Sequence, residues 1–253
     1  AFDPVLLIED AVMEIHTFPF KYIRTFELLG RSARVDWLQP YQDARWSGVL
    51  DGVPTSVARS GWSDMSLRVA VNLFGAPPLS GAEFAQYRAA QDRETIVGLG
   101  LVVQIPTGHY LEDKLLNLGS NRFTVRPQLG VVHSWDKWSA ELTASSWIYT
   151  DNDDFFGGNR LEQDPFYTLQ GHVDYTFRPG LWLGTGVGYG LGAKSTVNGI
   201  RKDDHKQNLG WILNFGVPIA RQWSAKFSYI GIRTLTSVGS NSDTLAAALA
   251  AQW

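Results

Sequence analysis

The stretch Tyr167-Thr168-Leu169-Gln170-Gly171-His172-Val173-Asp174-Tyr175-Thr176-Phe177-Arg178 sets Tyr167, Leu169, Val173, Tyr175 and Phe177 against Thr168, Gln170, His172, Asp174 and Thr176 in strict alternation. Successive strand side chains point to opposite faces, so this segment is a strand with one apolar and one wet side. The pattern recurs in Asp64–Leu73, where Met65, Leu67, Val69, Val71 and Leu73 alternate with Asp64, Ser66, Arg68, Ala70 and Asn72. It returns in Val97–Ile105 and in Phe123–Val131, whose polar partners are Arg122, Thr124, Arg126 and Gln128. Trp138–Thr150, Leu181–Lys194, Asn208–Ile219, Trp223–Thr234 and Thr244–Trp253 read the same way, each near the length that crosses a bilayer obliquely.

Short turns sit at Asp136-Lys137, Pro179-Gly180 and Ala220-Arg221, and long polar loops at Thr107–Asn121, Asp151–Pro165, Ser195–Lys206 and Ser237–Ser242. Short turns on one rim and long loops on the other describe an all-β transmembrane antiparallel barrel of the outer-membrane kind, with the short turns periplasmic. Trp135, Trp138, Phe177, Trp182, Trp223 and Trp253 fall beside the short-turn rim, the level amphipathic rings prefer. Gly75–Glu94 interrupts that rim, and the spacing of Phe84, Tyr87 and Arg88 predicts a brief periplasmic helix. Counting back from Trp253 gives about eleven strands, the earliest Val12–Arg24 and Arg34–Val49, with a tall hairpin turning at Asp51-Gly52. Single-chain barrels have even counts, so the expectation is one closed domain over residues 1–253 with about twelve strands, the opening strand absent from this chain. The last strand sets Leu245, Ala247, Leu249, Ala251 and Trp253 on the lipid face, which resembles the C-terminal signature of outer-membrane barrels.

Composition agrees with a chain that has two kinds of surface: 19% charged, 13% aromatic, with 25 Gly and 10 Trp among 253 residues. A net charge of −3 offers no basic stripe for nucleic acid. With no cysteine there is no disulfide, thiolate nucleophile or zinc-thiolate site. No run of about 18 apolar residues exists, so helices do not span a membrane and closed barrels remain as the spanning structure. The start at Ala1-Phe2-Asp3 lacks the regions of a signal peptide. The implied surroundings are outer-membrane lipid and lipopolysaccharide in the bacterial outer membrane, with a monomeric barrel, a small-molecule substrate and no cofactor.

The inward face carries the functional expectations. In Leu181–Lys194 the inward positions after Trp182 are Gly184, Gly186, Gly188, Gly190 and Gly192, a stave almost without side chains. Glycine weakens a strand interior, so such a column implies something that needs the space: an open passage, or bulky neighbours or a loop that fill it. Ala246, Ala248 and Ala250 extend the small surface. Charged inward positions are Arg34, Asp36, Asp64, Arg68, Arg122, Arg126, Glu141, Asp174, Arg178, Lys194 and Lys226. They either pair as a structural network or, being mostly basic, tilt the passage toward anions.

In the loop Asp151-Asn152-Asp153-Asp154-Phe155-Phe156-Gly157-Gly158-Asn159-Arg160, three carboxylates precede two aromatics and a Gly pair. It lacks the bidentate Glu of a hand-type calcium loop and reads as an acidic exposed turn. Asp153, Asp154, Phe155, Phe156 and Arg160 are gate candidates, the Phe pair folding inward as a lid. Catalysis has little support. His16, His109, His133, His172 and His205 show no ligand spacing, and alternation puts Ser134 on the opposite face from His133. Phosphate loops are absent, and the Gly184–Gly192 spacing precedes no helix.

Tyr22-Ile23-Arg24 with Leu29-Gly30-Arg31-Ser32-Ala33, Gln39-Pro40-Tyr41, Asn72-Leu73-Phe74-Gly75-Ala76-Pro77, Asp113-Lys114-Leu115, Gly119-Ser120-Asn121-Arg122, Thr150-Asp151-Asn152-Asp153-Asp154-Phe155-Phe156-Gly157-Gly158 and Gln163-Asp164-Pro165 together resemble the MetA-pathway phenol-degradation family of Gram-negative outer-membrane proteins. Where such proteins tend to read Gly-Leu-Gly-Asp, this chain has Gly61-Trp62-Ser63-Asp64. The resemblance covers most of the chain and implies a passive channel for small, aromatic or hydrophobic organic molecules, with no catalytic residues. A general small-solute or ion pore with weak anion preference, and a plugged structural or enzymatic barrel, are the alternatives.

Overall fold

The computed structural model describes residues 8–50, 52–79, 83, 86, 87 and 90–251. Its main sheet is antiparallel, with a continuous path β1(Ile8–Leu28), β2(Arg31–Leu50), β4(Met65–Phe74), β5(Arg93–Ile105), β6(Thr124–Trp135), β7(Trp138–Tyr149), β10(Phe166–Arg178), β11(Leu181–Gly192), β14(Lys206–Ala220), β15(Trp223–Thr234) and β16(Ser242–Ala251). These are the eleven strands that the alternation predicts. β3(Val53–Trp62) lies off the path, paired only with β2. The partners of β2 explain this: Tyr41–Leu50 pair with β3, and Ala33–Leu38 pair with β4. One descending line is therefore split at Ser63-Asp64, where the chain shifts from one strand to the next.

Alternation settles both faces. Gln170 pairs with Gly188 and Thr143, and Gly188 with Gly210, so these positions share one side of the sheet. That side is concave: the field of Lys226 on β15 reaches Lys21 on β1 at the other end of the strand order. On the convex side Leu129, Leu142, Leu169, Val187, Leu213 and Leu249 are each at least 48% exposed. Apolar area on this scale is a liability in water and a solvated surface in hydrocarbon. At the short-turn rim of the convex side Trp135, Trp138, Tyr175 and Phe177 form a run of ring contacts with centroids 4.8–6.5 Å apart, an aromatic girdle. Trp182 sits at the same rim but on the concave side, as its alternation with Gly184 predicts, where its indole fills the space over Gly216 and lies 5.7 Å from Lys226 Nζ.

Among the described residues no ladder joins β1 to β16, so the closed twelve-strand barrel is seen as a curled sheet with two edges. With eleven alternating strands both edges run the same way, and they cannot continue the antiparallel order by pairing with each other. Trp253 and Asp51 lie outside the described residues, as do Phe84 and Arg88 of the expected short helix; Glu83, Gln86 and Tyr87 take helical backbone.

The long loops fold into structure of their own. β8(Asn152–Phe155), β9(Asn159–Gln163), β12(Ser195–Val197) and β13(Ile200–Arg201) form a second sheet in the order β13-β12-β9-β8 at the long-loop rim. Residues 107–121 pack Leu116 and Leu118 against Ala44, Trp46 and Val57, the one hydrophobic cluster among the described residues.

Candidate functional site

The concave wall falls into three regions. On β1, β2, β4 and β6 it is basic. Asp36, 6% exposed, accepts from Arg34 Nε at 2.5 Å and from Arg68 Nη1 at 3.3 Å, and Arg68 Nε donates to Gln128 Oε1 at 3.0 Å. Lys21 and Arg126 add charge to the same region; Lys21 feels Asp36, Arg34 and Arg68, and Arg126 feels Arg68. One carboxylate thus serves Arg34, Arg68 and Lys21, with Arg126 beside Arg68. Arg126 has no ion pair among the described residues. Its guanidinium stacks on the Trp147 ring, 4.2 Å from the centroid, and its covered Nε has no hydrogen-bond partner. Arg122, at the long-loop end of the same line, stacks 4.5 Å over Tyr149 and donates to Gln163. Stacking on an aromatic face holds a guanidinium in place without cancelling its charge.

The second region is the glycine stave. A Cβ at Gly186 would strike the His172 ring, one at Gly190 the Phe166 ring, and one at Gly184 the Asp174 carboxylate. The glycines are there because side chains of β10 lie across β11, so part of the space that the sequence left open is filled by neighbours. A Cβ at Gly188 would press on Gln170 at 3.1 Å, whereas Gly210 has only ordinary contacts, and a groove of about 450 Å³ runs over the stave. Its floor includes Ile212, Ile230 and Ile232, and one end is walled by Phe166 and Trp147. Glu141, opposite His172, lies on the same face as Asp174, with Lys226 on β15 beyond.

The third region is the long-loop rim. Asp64, 5% exposed, accepts from Gly108 N at 2.9 Å, Ser120 N at 2.8 Å, Ser120 Oγ at 2.5 Å and Gln104 Nε2 at 3.1 Å. It is a clamp for residues 107–121 and faces no free solute. Asn152, the most deeply buried large side chain described, donates to the Tyr110 hydroxyl at 3.0 Å and ties the second sheet to that loop. Asp153, Asp154, Phe155, Phe156 and Arg160 all lie on the β8–β9 hairpin or its turn. Phe155 and Phe156 are half-buried, and Gly157 N donates to Glu112 O at 2.7 Å. Arg160 lies 2.5 Å from Asp151, 3.5 Å from Asp153 and 3.2 Å from Glu162, and the Asp151 bond raises its already high pKa. Lys194 pairs with Asp203 in the next loop at 3.5 Å. A bulge between Thr176 and Arg178 breaks the alternation at Arg178. His133 contacts Thr95 on the convex side while Ser134 lies 3.3 Å from Ser139 on the other, so the two residues are separated by the wall.

Sequence reading missed Trp147 and Tyr149 as partners of the arginines, although alternation from Glu141 places both inward. It also missed the apolar floor of Ile212, Ile230 and Ile232, which the same rule exposes once β14 and β15 are in register.

The family model described as "Putative MetA-pathway of phenol degradation" matches residues 10–232. Among solved structures, the chain is similar to the crystal structure of an outer membrane channel from Pseudomonas putida F1, with a TM-score of 0.65 and 20% identity over 99% of each chain. That likeness establishes the fold. No curated protein matches the chain.

Proposed function

Because the chain belongs to the MetA-pathway phenol-degradation family, we propose that it is a passive channel of the bacterial outer membrane that admits small organic molecules. The observation that carries the reading is the contrast between two faces of one sheet. The convex face presents leucines and an aromatic girdle, whereas the concave face holds Arg34, Arg68 and Lys21 against Asp36, with Arg126 beside Arg68. A wall that is greasy outside and charged inside lines a water-filled path across hydrocarbon. The similar protein from Pseudomonas putida F1 is described as an outer membrane channel, which supports the same role here.

A charge-lined path favours water-borne solutes over purely hydrophobic ones, and the aromatic character of the cargo rests on the family description. The surplus of cations supports a second reading, a less selective pore that prefers anions. Liposome swelling separates both from a plugged barrel. Vesicles carrying the protein should swell in isotonic arabinose faster than empty vesicles; equal rates with the protein inserted and folded would exclude an open path.

A further inference from the structure

We propose that the groove over the glycine stave is a binding subsite for small carboxylates with an apolar body, seated with the carboxylate toward Arg126. The inference rests on the channel reading and names the solute class its wall selects. Three observations meet at one place. The groove has an apolar floor in Ile212, Ile230 and Ile232 and a volume of about 450 Å³, within the range of small-molecule sites. Its aromatic end is made by Phe166 and Trp147, which are paired across β10 and β7. The Arg126 guanidinium, itself outside the groove lining, stacks on the Trp147 ring 4.2 Å from its centroid and has no carboxylate partner among the described residues.

An apolar trough whose end wall, Trp147, carries an uncompensated cation stacked on its ring is complementary to a molecule with the reverse polarity whose carboxylate reaches past the edge of that ring. Neighbouring cations cannot relieve Arg126, since Arg68 repels it and already serves Asp36. A carboxylate would supply the missing charge-assisted hydrogen bonds, while its hydrocarbon part displaces water from the isoleucines and the Phe166 ring. Neutral phenols or alcohols would use only the trough, and acetate only the cation. The subsite therefore discriminates by having both.

Ligand-observed NMR of benzoate with the detergent-solubilised protein tests the subsite whether or not the protein conducts, and potassium chloride current in a planar bilayer tests the channel reading separately. Benzoate should show a saturable signal with an apparent Kd about tenfold below those of acetate and benzyl alcohol, the factor one charged hydrogen bond supplies. Arg126→Gln should remove that advantage and leave benzyl alcohol unchanged. Ile230→Asn, which keeps the cation and makes the floor polar, should weaken benzoate but not acetate. Equal affinities for the three probes, or benzoate binding that survives Arg126→Gln, would overturn the proposal even if the channel conducts. Arg126→Gln that loses the folded-barrel band on unheated gels would be replaced by Arg126→Lys, expected to retain the benzoate preference in weakened form.

Discussion

Asp64→Ala removes one carboxylate and four hydrogen bonds at once, from Gly108 N, Ser120 N, Ser120 Oγ and Gln104 Nε2. The side chains of Ser120 and Gln104 can find other acceptors, but the two backbone N–H groups are fixed by the close approach of Gly108 to Gly119. A buried donor left unsatisfied costs about 1–3 kcal/mol, so the two together cost about 2–6 kcal/mol. At about 1.4 kcal/mol per tenfold, the opening equilibrium of residues 107–121 rises by roughly 30-fold or more. The loop keeps its apolar anchor, Leu116 and Leu118 on Trp46, so the sheet beneath it stays folded. Hydrogen exchange read by mass spectrometry in lipid nanodiscs should show faster exchange in peptides spanning 107–121 and unchanged exchange in β6. Unchanged protection of the loop would refute the assignment of Asp64 as its clamp.

Single cysteines will report the two faces cleanly because the chain has none: Gln128→Cys and Thr168→Cys should react with a charged aqueous maleimide, and Leu129→Cys and Leu169→Cys should not. Gly190→Leu forces a side chain onto the Phe166 ring, and overpacking of this kind should cost about 1–3 kcal/mol, seen as a lower melting temperature; an unchanged one would mean the stave has slack. Arg160→Ala leaves Asp151, Asp153 and Glu162 without their cation and should speed proteolytic nicking near Gly157-Gly158, an effect that high salt should reproduce in the unaltered protein if screening governs it.

What was legible in the sequence follows from periodicity. Tyr167–Arg178 announces its two faces because each residue is either lipid-facing or water-facing, and turns such as Pro179-Gly180 leave little freedom in register. The eleven strands and the inward placement of Arg34, Arg68, Arg126 and the glycines come from that rule. Less visible were features made by contact between distant segments. The split between β3 and β4 depends on β2 exchanging partners along its length, which no local pattern shows. Asp64 was legible as inward, but its role as a clamp required Gly108 and Ser120 to fold back onto it. The loop Asp151–Pro165 looks like a polar linker because its strands are only four and five residues long and pair across loops. The glycine stave was correctly singled out, and its cause, the side chains of β10 laid across it, is a matter of strand order.

Single-channel recording in a planar bilayer under a potassium chloride gradient tests the central claim most directly. A concave wall with Lys21, Arg34, Arg68 and Arg126 set against the single carboxylate Asp36 among them should give discrete openings with a reversal potential displaced toward that of chloride. Folded, inserted protein that passes no current, or a reversal displaced toward potassium, would contradict the account.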